Sequence, residues 1–228
     1  PSVKNVVIFT SDKVYQNLEG KYLNENSKLG GLDPYSASKS SQDIIANSYK
    51  ESFFKNDKNL IIIRAGNIIG GGDFDYTRIM PELFLSAHKN ETLFLRNPYA
   101  IRPWQHIFDV SNAIMSIIFK NYMRIQSKSI IFNVGPDNKS NITVLNIISK
   151  IKIKNLRFKF KKKNEIKFKE TKILKLSNKL IKKKIKWKPI LNISKSVNLT
   201  IDWYNNFYKN PKNIHKFTIK QIKNFFKI

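Results

Sequence analysis

Residues 6–13 read VVIFTSDK and residues 33–39 read DPYSASK, and the architecture of the chain follows from these two segments. The apolar run in the first segment predicts a buried strand. The second segment opens with a helix start signal, an aspartate N-cap followed by a proline at the first helical position. The run Leu60–Ile63 predicts another buried strand after that helix. Strand, helix and strand make a βαβ unit, in which the two strands run parallel.

Tyr35 and Lys39 are four residues apart, which puts both side chains on one face of a helix. An ammonium beside a phenol favours the phenolate, the form in which a tyrosine acts as a base. Ser11 and Asp12 follow the first strand directly, and open parallel sheets bind ligands at the carboxyl ends of their strands. The alternative is a tyrosine packed at the rim of an amphipathic helix beside an ordinary solvated lysine. We prefer the catalytic interpretation because Ser11 and Asp12 precede the pair.

Four blocks of sequence, taken in order, resemble the extended short-chain dehydrogenase/reductases. Within that family they are most similar to the nucleotide-sugar 4,6-dehydratases that act on CDP-glucose. The blocks are TSDKVY at 10–15, LGGLDPYSASK at 29–39, RAGNIIGGGD at 64–73 and RPWQH at 102–106. A Tyr-x-x-x-Lys pair alone occurs in many helices, but four blocks in the right order are specific. The resemblance is weakest between about residues 141 and 169.

The resemblance implies that NAD is the cofactor and a nucleotide sugar the substrate. Tyr35 would take the proton from the sugar 4-hydroxyl, and Ser11 would hydrogen-bond the same hydroxyl. Lys39 would tune the tyrosine and hold the nicotinamide ribose. We also expect Ala65, at the end of the second strand, to contact the cofactor. The implied reaction moves a hydride from C4 to NAD, removes water across C5 and C6, and returns the hydride to C6.

Asp12 distinguishes a dehydratase from the related epimerases, which carry small neutral residues after this strand. A dehydratase expels the C6 hydroxyl as water and needs a general acid there, a role that suits Asp12 if burial raises its pKa. The alternative is a loop aspartate that stabilises a turn. Lys13 matches the CDP-glucose enzymes, where the dTDP-glucose enzymes have a glutamate. Whether Lys13 is the C5 base or only electrostatic support stays open.

The resemblance also implies a set of residues that bind the sugar nucleotide: Asn67, Arg78, Arg96 and Arg102. The planar guanidinium of arginine donates hydrogen bonds in pairs and suits a diphosphate. Arg96 is expected on the ribose or base side. For Trp104 and Phe94 two places stay open, the wall of the nucleoside pocket and the core. The alternative for each arginine is a surface ion pair.

The predicted fold class is α/β: the carboxyl-terminal part of a Rossmann-like parallel sheet, interleaved with a smaller α/β substrate-binding lobe. We assign residues 1–72 and 102–135 to the Rossmann-like part and residues 73–101 and 136–228 to the lobe. No glycine-rich dinucleotide motif occurs in the sequence. The expectation is therefore a chain that lacks the amino-terminal glycine-rich part and binds NAD poorly by itself.

Further elements follow from local patterns. The helix from Pro34 to about Phe54 carries apolar residues at core-like spacing: Ala37, Ile44, Ile45, Tyr49 and Phe53. Gln105–Phe108 predicts a short strand, after which Asp109 caps a helix. Arg157–Phe160 and Ile166–Leu176 alternate as half-exposed strands do. The three histidines are widely spaced and lack partners with metal-ligand spacing, so no metal site is predicted.

The net charge of +26 raises the possibility of nucleic-acid binding. Residues 150–188 hold 17 Lys and one Arg against two Glu, and Lys, Asn and Ile are abundant throughout, so we favour basic solvated surfaces over nucleic-acid recognition. The sequence contains no cysteine and no long apolar run, which fits a cytoplasmic enzyme without a membrane span. From the resemblance we expect a homo-oligomer. The alternatives to a dehydratase are a nucleotide-sugar epimerase and a non-catalytic basic module that binds polyanions.

Overall fold

A computed structural model describes residues 3–16, 20–54, 58–121, 129–152, 158–163 and 171–227. The helices are α1 (Pro34–Phe53), α2 (Ile79–Lys89), α3 (Ile107–Asn121), α4 (Val144–Lys152), α5 (Lys179–Ile185), α6 (Ile193–Lys209) and α7 (Ile214–Phe226). The strands are β1 (Asn5–Ser11), β2 (Tyr22–Leu23), β3 (Asn59–Ala65), β4 (Ile68–Ile69), β5 (Thr92–Leu95), β6 (Ile101–Pro103), β7 (Gln105–His106), β8 (Ile130–Val134), β9 (Asn141–Thr143), β10 (Lys159–Lys162) and β11 (Lys175–Leu176).

The central sheet contains three parallel strands in the order β1-β3-β8. Every residue of β3 is buried, as expected of a strand with a neighbour on each side and packed faces. β1 is only partly buried along most of its length. The parallel pairing of β1 with β3, joined through α1, confirms the predicted βαβ unit and the α/β fold class.

The remaining strands form small two-stranded pairs. Three are parallel, β2 with β11, β4 with β7 and β5 with β10, and β6 pairs antiparallel with β9. The predicted strand over residues 105–108 is shorter than expected, because α3 begins at Ile107. Asp109 therefore lies inside the first turn of α3, where the prediction had it as the cap. Its carboxylate instead accepts hydrogen bonds from the N–H groups of Ile190 and Leu191.

Two large apolar clusters support the sheet and the region beside it. One lies against the sheet and joins Ile61, Ile63 and Phe132 to Ile181 and Trp187. The other packs α2, α4 and α6 around the stacked rings of Phe84 and Tyr204, 4.2 Å apart. Ile181 and Trp187 come from the carboxyl-terminal third of the chain yet pack on the sheet. The division of the chain into a Rossmann-like part and a lobe stays a prediction.

The buried face of α1 is polar, which corrects the prediction from apolar spacing. Asp33 caps the helix by accepting a hydrogen bond from the Ser36 N–H at 2.9 Å. The side chains that face the sheet include Ser36, Ser40 and Asp43. The residues predicted as core are all exposed, among them Ile44, Ile45, Tyr49 and Phe53 at 57–65%. The helix presents its apolar side outward because its inner side packs through hydrogen bonds.

A buried ion pair fastens α1 to the sheet. Arg64 on β3 donates two hydrogen bonds to the Asp43 carboxylate, both 2.8 Å long, and the two side chains are at most 3% exposed. Arg64 also donates to the hydroxyl of Tyr15, which donates in turn to Asn133 on β8. The Thr10 hydroxyl on β1 also donates to the Asp43 carboxylate at 3.4 Å, so this network ties the first helix to all three strands of the sheet.

Beside α1 lies an apolar groove of about 520 Å³ that runs along β1. Its lining includes Val6, Ile8, Ile45 and Tyr49. Together with the exposed apolar face of α1, it makes this edge of the sheet an exposed apolar surface.

Parts of two predicted strands, at residues 157 and 166–170, lie outside the described residues. Strands are present at Lys159–Lys162 and at Lys175–Leu176. Among the helices that the structure describes, none combines the length and the apolar character needed to cross a bilayer.

The Asp43–Arg64 pair predicts a large stability difference between two ion-pair variants. Asp43→Ala leaves a buried guanidinium without its counter-charge, and should lower the free energy of unfolding by about 3–5 kcal/mol. Lys182→Met removes an exposed pair with Asp137 and should cost less than about 1 kcal/mol. Urea unfolding measures both. Equal, small losses would show that the buried pair does not hold α1 in place.

Candidate functional site

The carboxyl ends of the three sheet strands meet in register at one edge. Ser11 at the end of β1 pairs with Ala65 at the end of β3, which pairs with Val134 at the end of β8. A single turn of 3-10 helix, Asp12–Val14, follows β1 directly. The βαβ unit thus carries Ser11, Asp12 and Ala65 to the same edge, as the sequence predicts.

Asp12 is a buried acid with an unsatisfied oxygen. Its side chain is 4% exposed, and its Oδ1 accepts a hydrogen bond from Ser11 Oγ at 3.0 Å. Among the described residues, no donor reaches Oδ2. Burial raises the pKa of Asp12 to about 6, against smaller opposing effects of the Ser11 hydrogen bond and the charges of Arg102 and Lys13. A carboxyl group in this state can hold a proton near neutral pH and release it.

Tyr35 lies close to the Asp12 loop through Lys13. The Lys13 ammonium is 5.7 Å from the centroid of the Tyr35 ring, within the range of a cation–π interaction. The Tyr35 side chain is 51% exposed, in the first turn of α1. Lys39, one turn further along α1, is partly buried and donates a hydrogen bond to Gln42 at 3.1 Å. The first turn of α1 therefore faces the end of β1.

A cavity of about 290 Å³ lies beside this edge. It collects Lys13, Asn67 and all three arginines predicted to bind substrate. Its lining is Lys13, Asn67, Ile68, Asp73, Thr77, Arg78, Ile79, Met80, Pro81, Glu82, Phe94, Leu95, Arg96, Asn97, Arg102, Trp104 and Val144. The other predicted site residues are not part of this lining: Ser11, Asp12, Ala65, Tyr35 and Lys39. Lys13 follows Asp12 directly and lines the cavity, so the Asp12 turn lies at the cavity edge.

The three arginines of the cavity differ in their surroundings. Arg102 is 4% exposed, and its guanidinium donates to the carbonyl groups of Ile101 and Lys172. Arg78 is exposed and pairs with two carboxylates at 3.1 and 3.2 Å, those of Asp73 and Asp75. Arg96 donates to the Thr77 carbonyl at 3.1 Å. Arg102 is thus buried and held by two backbone carbonyl groups, while Arg78 and Arg96 have exposed side chains that can turn toward a ligand.

Sequence reasoning missed one acid in the cavity wall, Glu82. It lies in the first turn of α2, four residues after Arg78. Burial raises the pKa of Glu82, and the charges of Arg96 and Lys163 oppose that rise. In the sequence, the acid directly after Met80-Pro81 indicates only the start of a helix. Acids are usual in the first turn of a helix, so this position does not by itself indicate a ligand site.

His106 is buried but lies outside the cavity. Its Nδ1 accepts a hydrogen bond from the Phe108 N–H, and burial lowers its pKa to about 4, so the ring is neutral at physiological pH. His88 stacks on Tyr208. Within the described ranges, no three metal-ligating side chains come together.

Comparison with protein families places residues 2–200 of the chain on the model described as GDP-mannose 4,6-dehydratase. A CDP-glucose 4,6-dehydratase of Salmonella typhimurium is 36% identical over 157 residues, which are 66% of this chain and 44% of that protein. An uncharacterised protein of Schizosaccharomyces pombe is 26% identical over 179 residues, 68% of this chain and 48% of that one. The chain spans about half the length of these curated relatives.

Solved structures share the fold. The dTDP-glucose 4,6-dehydratase of Bacillus anthracis, in complex with NAD, matches with a TM-score of 0.71 at 21% identity, over 90% of this chain and 61% of that one. The UDP-glucuronic acid 4-epimerase of Bacillus cereus, in complex with UDP-glucuronic acid and NAD, matches with a TM-score of 0.76 at 16% identity, over 90% and 62%. At these identities the matches establish the fold.

The raised pKa of Asp12 predicts a pH-dependent stability difference. The folded pKa of about 6 exceeds the ordinary value of 3.8, so ionisation costs stability as pH rises from about 4 to about 6. Asp12→Asn, which stays neutral, should gain about 3 kcal/mol at pH 7.5 and about 1 kcal/mol at pH 4.5 in urea unfolding. Asp202→Asn, at an exposed position, is the control. An equal gain for Asp12→Asn at both pH values would contradict the raised pKa.

Proposed function

Because the chain belongs to the GDP-mannose 4,6-dehydratase family, we propose that it carries the catalytic and substrate-binding part of a nucleotide-sugar 4,6-dehydratase acting on CDP-glucose. The observation that carries this proposal is the buried Asp12, with its raised pKa and unsatisfied oxygen, next to a cavity lined by cations. An acid in that state suits a reaction that must protonate a departing hydroxyl.

The cation-lined cavity is the binding site in this proposal. Lys13, Arg78, Arg96 and Arg102 supply positive charge for a diphosphate, and Asn67 supplies an amide. The cavity also includes the start of α2, whose positive dipole end favours an anion. Asp73 and Asp75 neutralise part of this charge through Arg78. Arg102 is the buried cation of the cavity, and its charge lowers the pKa of Asp12.

The sugar ring would lie between Asp12 and Tyr35. Tyr35 takes the proton of the sugar 4-hydroxyl, and Ser11 Oγ orients that hydroxyl by a hydrogen bond. Lys13 and Lys39 place positive charge near the Tyr35 hydroxyl that accepts this proton. The support for these roles is the closeness of Lys13 to both Asp12 and the Tyr35 ring.

Asp12 is the general acid of the proposal. Once C4 is oxidised, the proton on C5 becomes acidic and leaves, and the C6 hydroxyl departs as water when Asp12 protonates it. The hydrogen bond from Ser11 and the charge of Arg102 stabilise the carboxylate that results. Lys13, which follows Asp12 directly and lines the cavity, is the candidate for accepting the C5 proton, and electrostatic support is its alternative role.

NAD is the proposed cofactor and, when bound, supplies the hydride acceptor and donor. The residues present fit its nicotinamide ribose end. The strand ends offer the small side chains of Ser11 and Ala65, and Lys39 has hydrogen-bond donors to spare beyond its contact with Gln42. The sequence offers no glycine-rich turn for the two phosphates of the cofactor.

Cytidine is the proposed base because the Salmonella typhimurium relative, at 36% identity, acts on CDP-glucose by its name. An epimerase is the rival assignment, since epimerases share the fold at 16% identity. An epimerase eliminates nothing and has no use for a buried acid beside the reacting carbons. Asp12 therefore favours the dehydratase.

A homo-oligomer is part of the proposal. Ile45, Tyr49 and Phe53 lie one turn apart on a single exposed face of α1, and a second copy of that face would cover them. Light scattering should give the mass of a dimer for the parent chain and of a monomer for Tyr49→Lys. A monomeric parent would contradict this part of the proposal.

Two substitutions should separate the two proton transfers. For this test the chain is joined to the part of the Salmonella typhimurium relative that the match does not cover, and is given NAD and CDP-glucose. Tyr35→Phe should abolish reduction of the cofactor, because the 4-hydroxyl keeps its proton. Asp12→Asn should permit reduction but slow the loss of water by about 10²–10⁴-fold. Cofactor absorbance follows the first step, and mass spectrometry of the 4-keto-6-deoxy product follows the second.

Tyr49→Phe, which removes a hydroxyl from the exposed middle of the same helix, is the matched control and should leave cofactor reduction at the parent rate. No 4-keto-6-deoxy product from the parent with CDP-, dTDP- or GDP-hexoses would contradict the dehydratase. Parent-like behaviour of both site variants would contradict the residue roles.

A further inference from the structure

We propose that Glu82 reads the nucleobase of the substrate, and that its carboxylate selects a base with an amino group, cytosine, over one with a carbonyl group at that position, uracil. This inference rests on the proposed function, because it takes the cavity to be the nucleotide-sugar site.

Glu82 is the acid in the described cavity wall that has no protein partner. Asp73, the other carboxylate there, pairs with Arg78 and accepts from the Asp75 N–H. No described residue donates a hydrogen bond to Glu82 or lies within ion-pair distance of it, although the side chain is partly buried. Its oxygens still reach solvent, so a ligand that brings N–H groups meets a carboxylate acceptor that no described residue already engages.

The aromatic ring of Phe94 lies in the same cavity wall. Along β5, Leu93 and Leu95 point into the core, whereas Phe94 points outward and is 52% exposed. Side chains two residues apart on an extended chain share a face, which puts Arg96, just beyond the end of β5, on the side of Phe94. The charge of Arg96 acts on Glu82. Ring, guanidinium and carboxylate therefore belong to one region of the cavity.

The residues of this region come from α2, β5 and the residue that follows β5, whereas Asp12 directly follows β1 at the edge of the central sheet. Lys13 and Arg102 are the cations whose charge acts on Asp12, and Arg96 and Lys163 are those that act on Glu82. A nucleotide sugar has its sugar at one end and its base at the other, with the diphosphate between them. With the sugar at Asp12, the base falls at the wall that holds Phe94 and Glu82.

The chemistry of the two groups suits a nucleobase. An exposed aromatic ring stacks on a base regardless of its identity. A carboxylate accepts hydrogen bonds and cannot donate them, so it binds the amino group of cytosine and repels the carbonyl oxygen that uracil carries in its place. The charges of Arg96 and Lys163 favour the ionised form of Glu82, which is the form that accepts a hydrogen bond from the amino group.

The test compares the binding of two ligands to the full chain by calorimetry, CDP-glucose and UDP-glucose. The parent should prefer CDP-glucose by about tenfold or more, the size of one good base contact. Glu82→Gln, whose amide can donate as well as accept, should bring the two affinities to within about threefold while retaining binding. Glu91→Gln makes the same charge change at an exposed position just past α2, outside the cavity, and should keep the parent's preference.

The outcomes separate this inference from the proposed function. If the parent prefers CDP-glucose and Glu82→Gln keeps that preference, Glu82 does not read the base, although the dehydratase assignment stands. Equal weakening of both ligands would also overturn the inference, because a carboxylate that held only the ribose hydroxyls would affect both alike. If the parent binds neither sugar nucleotide, the proposed function fails and the inference fails with it.

Discussion

The buried pair of Asp43 and Arg64 is the constraint on which the site depends. Helix α1 packs its polar side against the sheet, so burial of apolar surface contributes little to holding it there. Two short hydrogen bonds in a dry environment replace that contribution, and they fix the helix in rotation as well as position. Tyr35 and Lys39 lie on the same helix, so the ion pair of Asp43 and Arg64 also determines their position relative to the end of β1.

The site divides into a buried part and an open part, and the division matches two different tasks. Asp12 lies in the buried part, where desolvation raises its pKa and keeps a proton available. The open part is the cavity, where, in the proposed function, exposed arginines adjust to a flexible diphosphate without the cost of desolvating a fixed cation. Arg102 joins the two parts, since it is buried beside Asp12 and lines the cavity.

Strand β1, helix α1 and strand β3 were predicted to within two residues at each end, because local signals define them: apolar runs, an N-cap and a proline. The sequence analysis also placed Asn67, Arg78, Arg96 and Arg102 in one binding site, and the structure shows all four in the lining of one cavity. That prediction came from the family resemblance. The orientation of α1 was predicted wrongly. Apolar spacing indicates which side of a helix is apolar, but which side is buried depends on a partner 21 residues away in the sequence, Arg64. Glu82 was missed because its surroundings come from three separate segments.

The proposed role of Asp12 as the general acid depends on the raised pKa of its carboxyl group. A titration of the chain labelled with ¹³C at aspartate carboxyl carbons, followed by NMR and assigned with Asp12→Asn, measures it directly. The account predicts a midpoint near pH 6 for the Asp12 resonance, because burial is the dominant influence on that carboxyl group. A midpoint near the ordinary value of about 4 would show an ionised, solvated carboxylate and would contradict its role as the acid.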